Sequence, residues 1–272
     1  MARFKILSVL TASTLLLTFT ACQKRHQDAD DDAAANEVIA AFAERGMQSD
    51  IDATTLHRGM PPIEGMCNPL DNLPECATVT ESGDTYPMTI TIDYGDGCED
   101  AFGHERSGQI VIELSDDLLN TGAVRTATLV DFHVGNVAIS GTRTTTNLGT
   151  NDSNQVIFGR ECNMTMVRNN HTISRQFSGI ATWIAGLETD DCGDNIFELT
   201  GSGSCTRPNG VQVSRTIIEP LLIDQECGYI TQGVVEMDAP MGTRTIDFGD
   251  GNCDNQAVVN GPNGSHIISL HP

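Results

Sequence analysis

Cations are what this sequence has least of. It carries 15 Lys plus Arg against 37 Asp plus Glu, a formal net charge of −22 at pH 7, and no Lys follows Lys24. Such a surface repels nucleic acid and anionic lipid headgroups, which excludes electrostatic binding to either. Aromatic residues are sparse at 5%, with a single Trp, so a core has to be filled by aliphatic side chains. There is no phosphate loop, GxSxG elbow, HExxH helix or dinucleotide glycine run. Paired CxxC or His spacings for zinc are absent too. His26, His57, His104, His133, His171, His266 and His271 are scattered, and His133 and His266 fall in strand patterns. What is present is 272 residues, 39% of them apolar, enough to bury one large domain or two small ones. Gly, Thr, Asn and Asp are plentiful, as suits many short strands joined by turns.

The N-terminus, MARFKILSVLTASTLLLTFTAC, places Arg3 and Lys5 ahead of an uncharged stretch from Ile6 to Ala21. A positive start, a short apolar segment and small residues before a cut form the layout of a secretion signal. At about 16 residues, diluted by threonines, the stretch is short for a membrane span, which needs roughly 20. Phe19-Thr20-Ala21-Cys22 resembles the lipobox that directs diacylglycerol onto a cysteine, here Cys22. The expected divisions are a lipoprotein signal peptide over 1–21, a lipidated Cys22 with an acidic tether over 22–33, a short helix and Pro-rich loop over 34–76, and an all-β domain over 77–272. Gln27-Asp28-Ala29-Asp30-Asp31 looks like the acidic cluster that, behind the lipidated cysteine of Bacteroidota lipoproteins, directs display on the outer face of the outer membrane. The plainer alternative is a solvated linker facing the periplasm.

Ala33 to Arg45 favours helix, with Val38, Ile39 and Phe42 on one face and Gly46 placed to end it. Residues 47 to 76 look irregular. From about Ala77 the period is two. In YPMTITIDY, Met88, Ile90, Ile92 and Tyr94 share one face, and in GQIVIEL Ile110, Ile112 and Leu114 alternate likewise. Further strands are expected at 124–134, 137–146, 155–162, 164–168, 171–184, 195–201, 211–219, 228–237, 243–248 and 264–270. The fold class is therefore all-β: a large antiparallel curved sheet, forming a partly closed barrel or a sandwich, with a short N-terminal helix.

Thr91 to Cys98, TIDYGDGC, is echoed by Thr245 to Cys253, TIDFGDGNC, and each is followed by a Gly-led strand, Gly108 to Leu114 and Gly264 to Leu270. The echo reads as a recurring hairpin in which glycines allow positive φ and aspartates bond turn amides. Setting Cys22 aside leaves eight cysteines, an even number that can pair fully in an oxidising compartment. They allow about a hundred pairings. Chain distance suggests Cys67 with Cys76, Cys192 with Cys205 and Cys227 with Cys253, leaving Cys98 for Cys162.

The ordered set YPMTITIDYGDGC, RSGQIVIEL, ISGTRTTTNLG and TIDFGDGNCDNQA resembles lipoproteins of uncharacterised function that are common in Bacteroidota, over roughly residues 80 to 270. That resemblance implies an all-β lipoprotein of the outer membrane or cell surface. The two acidic turns also look like the signature turn of PKD domains, although Ile92 and Ile246 stand where those modules usually carry Trp and a cysteine follows each turn.

Calcium is the one cofactor the sequence suggests. Asp247, Asp250 and Asp254 follow a D-x-x-D-G-x-x-D pattern and Asp93 with Asp96 a looser one, offering clustered oxygens on a glycine-relieved loop. Turn-forming aspartates fit the same letters. The functional expectation is a non-catalytic binding or structural lipoprotein, held to the membrane only by its anchor and meeting an unknown extracellular or periplasmic ligand. The alternatives are an extracytoplasmic hydrolase of glycans or peptides, and a carrier of an apolar ligand in a half-open barrel.

Overall fold

The computed structural model describes residues 46–56, 70, 73–99, 105–189, 193–227, 229–240, 242–262 and 264–270. The helix expected over Ala33 to Arg45 lies outside these residues, as do Cys22, Cys67 and Cys192.

The described residues are mostly strand: β1 (Thr78–Glu81), β2 (Met88–Asp93), β3 (Cys98–Glu99), β4 (Glu105–Leu114), β5 (Val124–Val134), β6 (Val137–Thr150) and β7 (Val156–Arg168). The second half adds β8 (His171–Ala185), β9 (Ile196–Thr206), β10 (Gln212–Asp224), β11 (Ile230–Ala239), β12 (Gly242–Asp250), β13 (Gln256–Gly261) and β14 (Gly264–Ser269). All belong to one antiparallel meander in which each strand pairs with the next, except that β3 folds back on β4 and β2 reaches β4 directly. β1 and β14 are the two ends of the order, so the sheet is open. The all-β curved sheet is as expected. One continuous sheet takes every described strand, and it is not closed into a barrel. Bulges in β4–β5, β5–β6, β6–β7 and β9–β10 bend the long strands and add twist.

Several strand boundaries differ from expectation for physical reasons. Residues 155–162 and 164–168 form the single strand β7, because Asn163 faces out and continues the alternation across the gap. β13, QAVVNG, is too short and polar to stand out, yet β12 and β14 hold it on both sides. It is therefore β13, not Gly264 to Leu270, that pairs with the second echo hairpin as β4 pairs with the first.

Alternation gives the sheet an inner face. Ile90, Ile92, Ile110 and Ile112 have no exposed surface and pack with Leu129, Phe132, Ile139, Met164 and Met166. Each such side chain contributes about 1.5–3 kcal/mol by leaving water. The helical residues 46–55 (α1) lie on this face, with Met47 and Ile51 part of the same cluster. Gly46 does not end a helix as expected. It is helical, and a Cβ there would sit 2.8 Å from Arg106 Nη2, so glycine lets the guanidinium come close. Residues 47–55, expected to be irregular, are helical too. Among the described residues no helix is long and apolar enough to cross a membrane.

Among the described residues two disulfides are formed. Cys227–Cys253 is as expected, with Cα atoms 5.7 Å apart. The pairings Cys67–Cys76 and Cys98–Cys162 are corrected: Cys76 bonds Cys98, at 5.6 Å between Cα atoms. Strand register decides this, because Thr78 opposes Asp93 and the end of β2 must return beside the start of β1. Cys162 and Cys205 are both buried, on β7 and β9.

Candidate functional site

The strands carry eight arginines: Arg106, Arg125, Arg143, Arg160, Arg168, Arg175, Arg215 and Arg244. All eight fall on the parity of the buried apolar residues, and seven of them are buried or half-buried on the inward face. Arg125 alternates with buried Ala127 and Leu129, Arg160 stands between buried Phe158 and Cys162, and Arg143 opposes Ala127 and Cys162. The exception, Arg168, is exposed at the end of β7. Among the described residues, every strand carboxylate is exposed or half-exposed. An acidic exterior thus encloses a basic interior face.

The buried carboxylates among the described residues are Asp50 and Asp52, each 3% exposed, and both belong to α1. That segment carries only a narrow apolar stripe, Met47 and Ile51 one turn apart. Thr54 and Thr55 return their hydroxyls to the carbonyl of Ile51, and Gln48 Nε2 donates to Asp52 Oδ1 at 2.7 Å, one turn away. Asp50 accepts from Tyr94 Oη at 2.6 Å and from Arg106 Nη1. Asp52 accepts from Arg125 Nη1 at 2.8 Å, with Arg160 Nη2 3.9 Å from its other oxygen. Arg125 also donates to Thr55 Oγ1 at 2.6 Å and Thr145 Oγ1 at 3.1 Å. Below the C-terminal end of α1 lies an aromatic floor in which Trp183 sits 5.3 Å from Phe197 and 6.4 Å from Phe158. The guanidinium of Arg160 stands 5.3 Å over the Phe197 ring, within cation–π range.

The electrostatics follow from burial. Loss of water pushes Arg160 down to about 10, partly offset by Asp52, and lowers Arg125 for the same reason; a guanidinium keeps its charge in proteins. Burial, and then the neighbouring Asp50 charge, push the Tyr94 hydroxyl well above its ordinary value, which leaves it a neutral donor. A charged, hydrogen-bonded, largely dry face of this kind can hold an anion or fix a helix.

The sites expected from sequence are placed differently. Asp93 Oδ1 accepts from Gly95 N at 2.8 Å and Asp247 Oδ1 from Gly249 N at 2.9 Å, with Gly95 at φ +61° and Gly249 at φ +94°. Asp93 Oδ2 takes Gln109 Nε2 at 2.8 Å, Asp250 takes Asn252 Nδ2 at 2.7 Å, and Asp254 takes Gln256 N at 3.0 Å. These are turn aspartates, and the backbone amide of Gly95 is the main reason Asp93 lies below the usual carboxylate range. Asp96 is exposed in the first turn. Among the described residues no three His, Cys, Asp or Glu come together in a way that could hold a metal. His133 and His266 lie in β5 and β14 as expected. The arginine face was not anticipated, although its signal was available: each inward arginine falls on the apolar beat of its strand.

No protein-family model matches this chain, and neither the curated proteins nor the solved structures contain a match.

Proposed function

We propose that this protein is a lipid-anchored, extracytoplasmic binding protein whose working surface is the inner face of the sheet around α1. The observation that carries the binding role is the segregation of charge, with seven inward arginines behind an acidic exterior. Arginines at such density on a face shared with an apolar core cost desolvation energy, and a structural role needs far fewer. The location is supported by the signal-like N-terminus, by Cys22 in its lipobox-like setting, and by two disulfides of the kind that persist outside the cytosol. The acidic stretch Gln27 to Asp31 favours display on the outer face of an outer membrane.

Metabolic labelling with an alkyne fatty acid tests the anchor. The expected result is labelled protein in the membrane fraction and, for Cys22→Ala, an unlabelled chain. Equal labelling of both would overturn lipidation at Cys22. Protease treatment of whole cells then separates surface display, which gives digestion, from a periplasmic orientation, which gives protection.

A further inference from the structure

We infer that Arg125, Arg143 and Arg160 form a binding site for a tetrahedral oxyanion, a phosphate or the phosphate head of a small molecule. Register sets the triangle. Arg125 and Arg160 occupy one row across β5 and β7 with Thr145 of β6 between them, and Arg143 stands in the next row, opposite Cys162. Among the described residues, three guanidinium groups face a single carboxylate, Asp52, which bonds Arg125 closely and Arg160 only at long range. Guanidinium does not shed its proton in proteins, so among the described residues two positive charges remain uncompensated there.

The donors are also incompletely used. Arg160 is 6% exposed, and among the described residues its buried Nε has no hydrogen-bond partner and the buried Nη1 of Arg143 has none either. A buried charged donor left unmet is costly, and an incoming oxyanion removes that cost. A tetrahedral dianion suits the site better than a planar carboxylate because its oxygens can meet N–H groups on separate strands at once. Thr145 Oγ1, which accepts from Arg125, keeps its own proton to donate. Arg125 and Arg160 are buried while Arg143 is half-exposed, so the ligand enters past Arg143. The acidic exterior opposes an anionic bilayer but not one small molecule reaching a locally positive face.

This inference rests on the inner face being the working surface and not on the lipid anchor. The test uses the full chain in neutral detergent, with phosphate replacing chloride at constant ionic strength, read by thermal unfolding and by the 31P line width. The expected result is a saturable rise in melting temperature and 31P broadening. Arg143→Gln should weaken half-saturation about 10- to 100-fold, the loss expected for one charge-assisted contact, and Arg168→Gln, at the exposed end of β7, should leave it unchanged. Glycerol 3-phosphate and dihexanoyl phosphatidic acid, the latter below its micellar concentration, identify the source. Equal half-saturation for both indicates a headgroup site, and tighter binding of the lipid indicates acyl contact with the inner face. Phosphate indistinguishable from chloride in both readouts, or Arg143→Gln binding as wild type does, overturns the site. Lost fatty-acid labelling with phosphate binding retained would overturn the anchor alone.

Discussion

The hairpin β1–β2 and the hairpin β11–β12 each run from a cysteine through two paired strands to an acidic Gly-Asp-Gly turn and a second cysteine, which closes on the first. Their outward residues match, Thr91 with Thr245 and Asp93 with Asp247, and so do their turn hydrogen bonds. Their inward residues do not. Met88, Ile90, Ile92 and Tyr94 in the first become Gly242, Arg244, Ile246 and Phe248 in the second. The first hairpin lies in the cluster that includes Met47 and Ile51 of α1, whereas the second packs in a cluster formed by β9 to β14 and Leu270. Tyr94 is buried and its hydroxyl reaches Asp50, while Phe248, one oxygen poorer, is only half-buried. A turn is specified by a few local residues and can recur unchanged. The inward face answers to whatever packs on it.

The largest test of that contrast is Asp52→Ala. It leaves Arg125 and Arg160 buried against each other, and the expected loss is about 3–5 kcal/mol in denaturant unfolding. Hydrogen exchange should quicken in β5 to β7 while β11 to β14 keep their protection, and uniform loss of protection would show that the two regions are not distinct. Next come the disulfides. Replacing Cys76 and Cys98 by Ser, or Cys227 and Cys253, opens loops of 22 and 26 residues, and each should cost about 3–4 kcal/mol. Near-equal losses support equivalent staples, and a gap above about 1.5 kcal/mol would break the equivalence.

The smallest effect separates the two aromatic positions. Tyr94→Phe should cost about 1–2 kcal/mol by removing the bond to Asp50. The reverse change, Phe248→Tyr, should stay within about 0.5 kcal/mol because the ring is already half in water. The Tyr94 hydroxyl is held above its ordinary value of 10.0, so the folded state keeps its proton when the unfolded chain loses it. Stability from this group is complete below pH 10 and falls as pH rises further. Tyr94→Phe should flatten that alkaline slope, and an unchanged slope in pH-dependent unfolding would assign it to another group.

Much of the sheet was legible because alternation is a local property. Residues 124–134 and 137 onward read as strands, and β5 and β6 begin where expected. The buried side of each was equally readable, since Ala127, Leu129 and Phe132 mark it in β5. Arg125 on that side was an unread sign of the site. The segment Gln48-Ser49-Asp50-Ile51-Asp52 was opaque for another reason. Two carboxylates so close together look solvent-exposed, and they are buried only because Arg106 and Arg125 arrive from 56 and 73 residues further along the chain.

By itself the sequence determined the strand count to within a few, the two recurrent acidic turns and an acidic exterior, since each is set by neighbours a few residues apart. Only the tertiary structure decided that Cys76 joins Cys98, that the sheet stays open, and that Arg106, Arg125 and Arg160 converge on the buried carboxylates of α1. Those outcomes depend on which strand lies beside which, and pairing energy is shared between segments that no local pattern connects.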